Sequence, residues 1–497
     1  MSIATLLDLA AEMHPDRPAL GRASETMSFG ELAIRVRIAA AFLERCAAGS
    51  AVFIGKSGPA FHVALFAAAR AGLPLTPLNY RLARGQIDEL IDRLDRPVVM
   101  ADPQSLPASG PWRRTITTEE LMLAAAPCGA SYGDRADESA PAVVLFTSGT
   151  TAQPKGVVLR HQHLLSYVLS TIDPGSATSA EAALVSVPPY HIAGVGAVLT
   201  NTAAGRRVVH LPDFAADAWL ATVRRQGITS AMVVPTMLSR IVDHLGDQVA
   251  DVPSLRALAY GGSRIDRATV ARALRAFPDT DFTNAYGLTE TSSTVALLGP
   301  SEHRAALDSD DPAVRARLGS VGRPLPGVAA EVRGPDGFPV PAGEVGELWL
   351  RGAQVSGEYL DGAVTTDRQG WFPTRDLARL DEDGYLFIEG RADDTIIRGG
   401  ENIAPAEIED VLMRHEAVRD AAVVGVPDVE WGERIVAVVV VKARVEVTES
   451  QLTAFVRSQL RSSRTPDTVV FRDELPRTDT GKVLRRALVA DVSGVTA

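Results

Sequence analysis

The chain is 497 residues long, 46% hydrophobic and 22% charged, the make-up of a globular protein with ample material for a large core. Fifty Lys and Arg stand against 61 Asp and Glu, a net charge of −11; this argues against nucleic acid or an anionic membrane as the main partner and leaves room for a small basic phosphate pocket. The two cysteines, Cys46 and Cys128, have no near partner and no metal-ligand spacing, so a disulfide framework and a thiolate zinc site are excluded and a reducing, cytoplasmic setting is expected.

The length is a prior for roughly two to four domains. The opening stretch, MSIATLLDLAAEMHP, carries Asp8 and Glu12 among its apolar residues and reads as an amphipathic helix rather than a leader. Apolar runs at Ala51–Gly55, Pro97–Ala101, Ala142–Phe146, Ala183–Val187, Val208–Leu211 and Ala231–Val234 read as buried strands. Between them, Ala60–Ala71, Gln86–Leu94, Ala215–Gln226 and Arg267–Phe277 carry helical patterns. Such alternation predicts parallel sheet covered on both faces. The most apolar stretch, Val63–Leu78, is broken by Arg70, Pro74 and Pro77 and cannot span a bilayer.

From about Gly319 the texture changes: strand-like Val328–Arg333 and Gly346–Leu350 are separated by Gly/Pro-rich turns, which predicts a smaller β-rich subdomain. A second shift comes at Arg391-Ala392-Asp393-Asp394. Beyond it a helix (Ala406–Arg414), two strands (Ala421–Val426, Arg434–Lys442), a helix (Thr448–Leu460) and a strand (Val469–Phe471) predict a compact α+β domain. The fold class expected is α/β: a large N-terminal domain, residues 1–392, of parallel α/β sheets plus a β-rich subdomain, then a small α+β C-terminal domain, residues 393–497.

The segment Phe146–Val157, FTSGTTAQPKGV, packs hydroxyls, glycines and Lys155 behind a buried strand. Glycines let a loop close around an anion, hydroxyls and backbone N–H groups donate to phosphate oxygens, and the lysine adds a point charge. The Walker A spacing is absent, since Pro154 stands where its second glycine belongs and no Ser or Thr follows Lys155.

TSGTTAQPKG resembles the signature loop of the adenylate-forming superfamily, which includes acyl-CoA synthetases, and the rest of that family's pattern follows in order. Val187-Pro188-Pro189-Tyr190-His191 resembles its aromatic/histidine gate, Tyr260-Gly261-Gly262-Ser263 its turn beside the adenine, and Asn284-Ala285-Tyr286-Gly287-Leu288-Thr289-Glu290 its YGxTE motif. Trp371-Phe372-Pro373-Thr374-Arg375-Asp376 resembles its TGD motif and Gly390-Arg391-Ala392-Asp393 its hinge. Arg398-Gly399-Gly400-Glu401-Asn402-Ile403, followed by Glu407, resembles the mobile loop after the hinge, and Pro476–Lys482 the C-terminal lysine motif.

The resemblance implies an ATP-dependent carboxylic acid–CoA ligase that forms an acyl-AMP with release of pyrophosphate, then passes the acyl group to the CoA thiol as a mobile C-terminal domain alternates about Asp393. ATP, Mg²⁺ and CoA are the implied co-substrates and cofactor. It implies that Thr147, Ser148, Gly149, Thr150, Thr151 and Lys155 cradle the phosphates and that Glu290 with Thr151 holds Mg²⁺, a hard cation that prefers oxygen. Gly261, Gly262, Ser263, Asn284, Ala285, Gly287 and Thr289 would border the nucleotide, Tyr286 would stack on adenine, and Asp376 with Arg391 would take the ribose hydroxyls. Gly399, Gly400 and Glu401 would border the thiol tunnel, with Arg398 reaching the phosphates of CoA. His191 would gate access, and Lys482 would bridge the attacking carboxylate and the α-phosphate. Two anions must meet in that step, so positioning and charge neutralisation are what the residues have to supply.

Two positions depart from the pattern. Arg375 replaces the usual glycine before Asp376, and Arg264 stands where a proline or small residue is common. Arg264 reads as a surface residue, or else as a partner for a polar group on the acid. The acid pocket implied, from Tyr190–Gly194, Ala259–Ser263, Asn284–Tyr286 and Thr291–Val295, is small and apolar, which suits an aliphatic or aromatic monocarboxylate. Ala285 sits where dicarboxylate-activating relatives carry a base, which disfavours malonate-like acids; an inorganic acid such as nitrite stays on the list. His161 and His163, two residues apart, do not share a helix face and are not expected to bind metal; His161 is expected to support the phosphate loop. The alternatives are a stand-alone adenylating enzyme that serves a carrier protein or an amine, and a non-catalytic nucleotide-binding protein. A homodimer is one oligomeric option.

Overall fold

The computed structural model describes all residues except 24, 108–113, 125–136, 148–153, 400, 429–430, 479–480 and 494–497. Two large sheets form the body. The six-stranded sheet runs, edge to edge, Arg114–Thr117, Pro97–Ala101, Ser50–Ile54, Leu75–Pro77, Pro141–Thr147 and Lys155–Arg160. Its first five strands are parallel, and every residue of Ser50–Ile54 and of Pro97–Ala101 is buried, which is why these runs are continuously apolar.

The nine-stranded sheet is parallel at its centre, in the order Asp281–Leu288, Ala257–Gly261, Ser230–Val233, Ala182–Val185, Arg207–His210 and Pro18–Arg22. Antiparallel strands close both edges. Helices cover the sheets. Phe29–Glu44 begins with a capping box in which Ser28 and Glu31 satisfy each other's amides. The opening helix, Ala4–Met13, buries Leu6, Leu7 and Ala10, as its amphipathic pattern requires.

The β-rich region is a four-stranded antiparallel meander, Ala329–Arg333, Gly346–Arg351, Phe372–Leu380 and Leu386–Arg391. The C-terminal region pairs Val418–Asp428 with Gly432–Val441, and adds Thr468–Phe471 in parallel beyond the helix Glu449–Gln459. It also holds two elements the hydropathy pattern does not reveal. One is the short hairpin Ile396–Arg398/Glu401–Ile403, and the other the final helix Arg485–Ser493, which buries Leu488 and Val492. Among the described residues no helix is long and apolar enough to cross a membrane.

Candidate active site

The strand order places the chemistry. In parallel α/β sheets ligands sit beyond the carboxyl ends of the strands, and three motifs lie there on the nine-stranded sheet. Val187–His191 follows Ala182–Val185, Gly261–Ser263 ends Ala257–Gly261, and Asn284–Gly287 lies in Asp281–Leu288. Gly261 is required by close approach: a Cβ there would fall 2.0 Å from the carbonyl oxygen of Ala285 on the next strand. Asn284 donates to the Ser320 carbonyl at 3.0 Å, a structural bond within the body. Ser263, Gly287 and Thr289 lie beside these on the turn, the strand and the single turn after it.

The best-defined corner is built on the β-rich meander. Strand register sets Asp376 opposite Arg391, and Arg391 Nη1 donates to Asp376 Oδ1 at 2.9 Å. The phenol of Tyr286 donates to Oδ2 at 2.5 Å. Asp376 is 4% exposed, and its amide bonds Thr374 Oγ1, which in turn donates to the Leu348 carbonyl. Burial pushes the Asp376 carboxyl up, and Arg391 and Tyr286 oppose that shift. Tyr286 is raised as well, by burial and then by the facing carboxylate. A phenol tied to a carboxylate was not foreseen from the sequence, which gave this ring to adenine stacking alone.

The departure at Arg375 is resolved plainly. Its φ is +63°, so the backbone takes the left-handed turn that glycine usually serves, with a bulge in the pairing beside it. Its side chain points out, 61% exposed, with Glu347 at 3.9 Å.

On the phosphate side, Pro141–Thr147 and Lys155–Arg160 pair antiparallel, with Thr147 opposite Lys155. The sequence had not shown this return strand. Ser148, Gly149, Thr150 and Thr151 join the two and lie outside the described residues, as does Gly400. Glu290 Oε1 accepts a hydrogen bond from Tyr359 at 3.0 Å, and Lys155 Nζ lies 5.6 Å from the centre of the Tyr359 ring. Tyr359 therefore links the metal candidate to the loop lysine. No sequence signal marks it, because its place depends on a bridge between Tyr359 and Val157. Among the described residues no group of three or more His, Cys, Asp or Glu could hold a metal alone. One carboxylate with a free oxygen beside a phosphate loop fits Mg²⁺, which keeps waters and takes most other ligands from phosphates.

Lys482 reaches this cleft from the C-terminal region. It sits on a turn closed by Thr478 N–H to the Lys482 carbonyl at 2.8 Å and by Arg477, which grips both oxygens of Asp420. Solvent reaches its side chain, yet desolvation in the crowded cleft and then Arg391 hold its ammonium below the ordinary range, with Asp394 and Asp376 opposing. Arg485 binds Asp394 at 3.3 Å and Glu409 at 2.7 Å.

Other expected residues fall elsewhere. His191 caps the helix Ile192–Ala204 with its ring 4.7 Å from Tyr190, which meets Tyr80 edge-on. Gly399 and Glu401 contact Trp431 and Arg464 of their own region rather than the Asp376 corner. Arg398, expected to reach CoA, is held by Asp467 of its own region at 2.6 Å. His161 accepts from the Ile3 amide at the far end of strand Lys155–Arg160 and so anchors the N-terminal segment; the loop it was expected to support lies outside the described residues. Arg264 pairs with Asp410 of the C-terminal region and not with any group of the acid pocket.

Residues 7–360 match the AMP-binding enzyme family, and residues 407–482 match the AMP-binding enzyme C-terminal domain, ending at Lys482. The chain belongs to this family. A fatty acid–[acyl-carrier-protein] ligase of Streptomyces coeruleorubidus is 34% identical, over 96% of this chain and 94% of that one. A feruloyl-CoA synthase of an Amycolatopsis species is 32% identical over 96% of both chains. The o-succinylbenzoate CoA synthetase of Bacillus subtilis, solved with its acyl-adenylate intermediate, superposes with a TM-score of 0.83 at 27% identity over 97% of both chains. The same synthetase has been solved with ATP and magnesium. This AMP-binding enzyme therefore has the adenylate-forming architecture that its motif order implied, with ATP and Mg²⁺ as the expected companions.

Proposed function

We propose that this AMP-binding enzyme is an ATP-dependent carboxylic acid–CoA ligase, activating a small acid as acyl-AMP and transferring the acyl group to the CoA thiol. The observation that carries this reading is the arrival of Lys482 beside the Asp376–Arg391 pair: a nucleotide binder has no use for a second-region lysine in the cleft. Asp376 accepts from the ribose with lone pairs left over after Tyr286 and Arg391, while the Tyr286 ring borders the base. Lys155 would offset the phosphate charge while the hydroxyls of the loop donate hydrogen bonds to it, and Glu290, held by Tyr359, would help hold Mg²⁺, which would supply charge that eases the approach of the acid anion. Lys482, its charge directed by Asp376 and Asp394, stabilises the charge that develops between carboxylate and α-phosphate. His191 with Tyr190 guards the path from acid to thiol.

The division proposed is residues 1–392 and 393–497, with the second part turning about Asp393 between the half-reactions. The setting proposed is the cytoplasm. Pyrophosphate release with ATP, Mg²⁺ and a panel of monocarboxylates tests the reading, repeated with and without CoA and with mass spectrometry of products. An acyl-CoA product supports it, and the absence of release with every acid overturns it. Similarity to the carrier-protein ligase supports a second acceptor, so a phosphopantetheinylated carrier belongs in the same experiment. Light scattering separates monomer from homodimer.

A further inference from the structure

Arg264 leaves the body just after the Gly261–Ser263 turn, and its guanidinium donates to the Asp410 carboxylate on the helix Pro405–Leu412. Arg267, the first residue of the helix Arg267–Ala276, also acts on Asp410 from the body, and Arg414 acts on it from its own region. Two body cations thus converge on one carboxylate across the division of the chain. A second contact marks the same orientation. Gly481, with φ +82°, lies against Thr236 at the start of helix Pro235–Leu245; a Cβ there would come within 2.4 Å of the Thr236 side chain. The turn that carries Lys482 is therefore seated on the body in the very pose that brings Lys482 to Asp376 and Arg391.

We infer that Arg264 and Asp410 are positioning residues that hold the C-terminal region in the orientation for acid activation, and that this ion pair parts when the region turns for thiol transfer. The inference rests on the alternation proposed above. The pair suits the task because both side chains are partly open, 44% and 42% exposed. Such pairs shift an equilibrium by about two- to five-fold, enough to bias a pose and too little to lock it. The sequence departure at Arg264 thereby acquires a role: a proline there could not reach across.

The test uses the full chain with Cys46→Ser and Cys128→Ser, spin-labelled at exposed Val249 and Val445, and pulsed electron resonance to read the distance between them. One main distance is expected without substrates. Asp410→Arg, which sets like charges against Arg264 and Arg267, is expected to add a second population; Arg264→Asp combined with Asp410→Arg is expected to remove most of it. In parallel, Asp410→Arg should slow ATP–pyrophosphate exchange about ten-fold while thioester formation from supplied acyl-adenylate holds, and the swapped pair should recover exchange. An unchanged distance distribution in Asp410→Arg, or an equal fall in both half-reactions, overturns the inference. Absence of exchange in the wild type with any acid overturns the proposed function instead, and the distances then decide the ion pair's role on their own.

Discussion

Asp376 and Lys482 face the same cleft, but the chain installs them by contrasting means. Asp376 is 4% exposed, fixed by strand register opposite Arg391 and by bonds from Tyr286 and its own amide. Lys482 is open to solvent on a short turn of another region, and what holds that turn near the cleft is packing and charge across a boundary. A carboxylate needed in both halves of a reaction can be built into the scaffold. On the proposed mechanism, a cation needed in one half has to be brought and withdrawn, so the contacts that seat its turn on the body must be ones that can part.

The largest effect expected is at the delivered residue. Lys482→Ala should slow acyl-adenylate formation by about 10²–10³-fold while sparing both thermal stability and thioester formation from supplied acyl-adenylate; equal loss in both half-reactions would break the comparison. At the built-in residue the pattern inverts. Asp376→Ala should cost about 2–3 kcal/mol of folding stability by leaving Arg391 and Tyr286 without their acceptor, and should weaken ATP binding with it, read by urea melts and ATP titration.

The body is also where acid acts. Burial holds His163 and His210 at about 4, below the unfolded value near 6.5. The unfolded chain binds more protons between those values, so stability is full above about pH 6.5 and falls as pH drops toward 4, by at most about 1.4 kcal/mol per pH unit for each group. Urea melts at pH 7.5 and 5 should differ accordingly, with a shallower difference in His210→Gln. Tyr359→Phe removes one hydrogen bond to Glu290, worth about 1 kcal/mol, and should raise the Mg²⁺ concentration for half-maximal activity about five-fold without unfolding the chain. The smallest change is Arg375→Gly. Relief of the left-handed arginine, about 1 kcal/mol, is offset by the flexibility of glycine in the unfolded chain, for a net change within about 0.5 kcal/mol in the same melts.

The sequence made the α/β alternation legible because strands such as Ser50–Ile54 are buried on both faces and read as unbroken apolar runs. Motif order likewise identified Asp376, Arg391 and Lys482, which the fold brings together. Pairings across distance were not legible. Tyr359 meets Glu290 across 69 positions and Arg264 meets Asp410 across 146, and no local pattern encodes a bond between polar side chains on separate elements. The return strand Lys155–Arg160 was hidden for a related reason: its antiparallel partner, Pro141–Thr147, sits on the other side of the intervening loop. Arg375 shows the limit of type-based reasoning, since a non-glycine residue occupies a backbone state that its neighbours impose.

If the chain divides as proposed, the two salt bridges that flank residues 392–393 also set where it bends. Arg391 is clamped to Asp376 within the β-rich meander, and Asp394 is clamped through Arg485 to Glu409 in the C-terminal region. Each clamp binds its residue to a different rigid piece. Ala392 and Asp393 are all that lie between them, so a turn of any size has to be accommodated by the torsions of a two-residue pivot, with little slack in which the axis could wander.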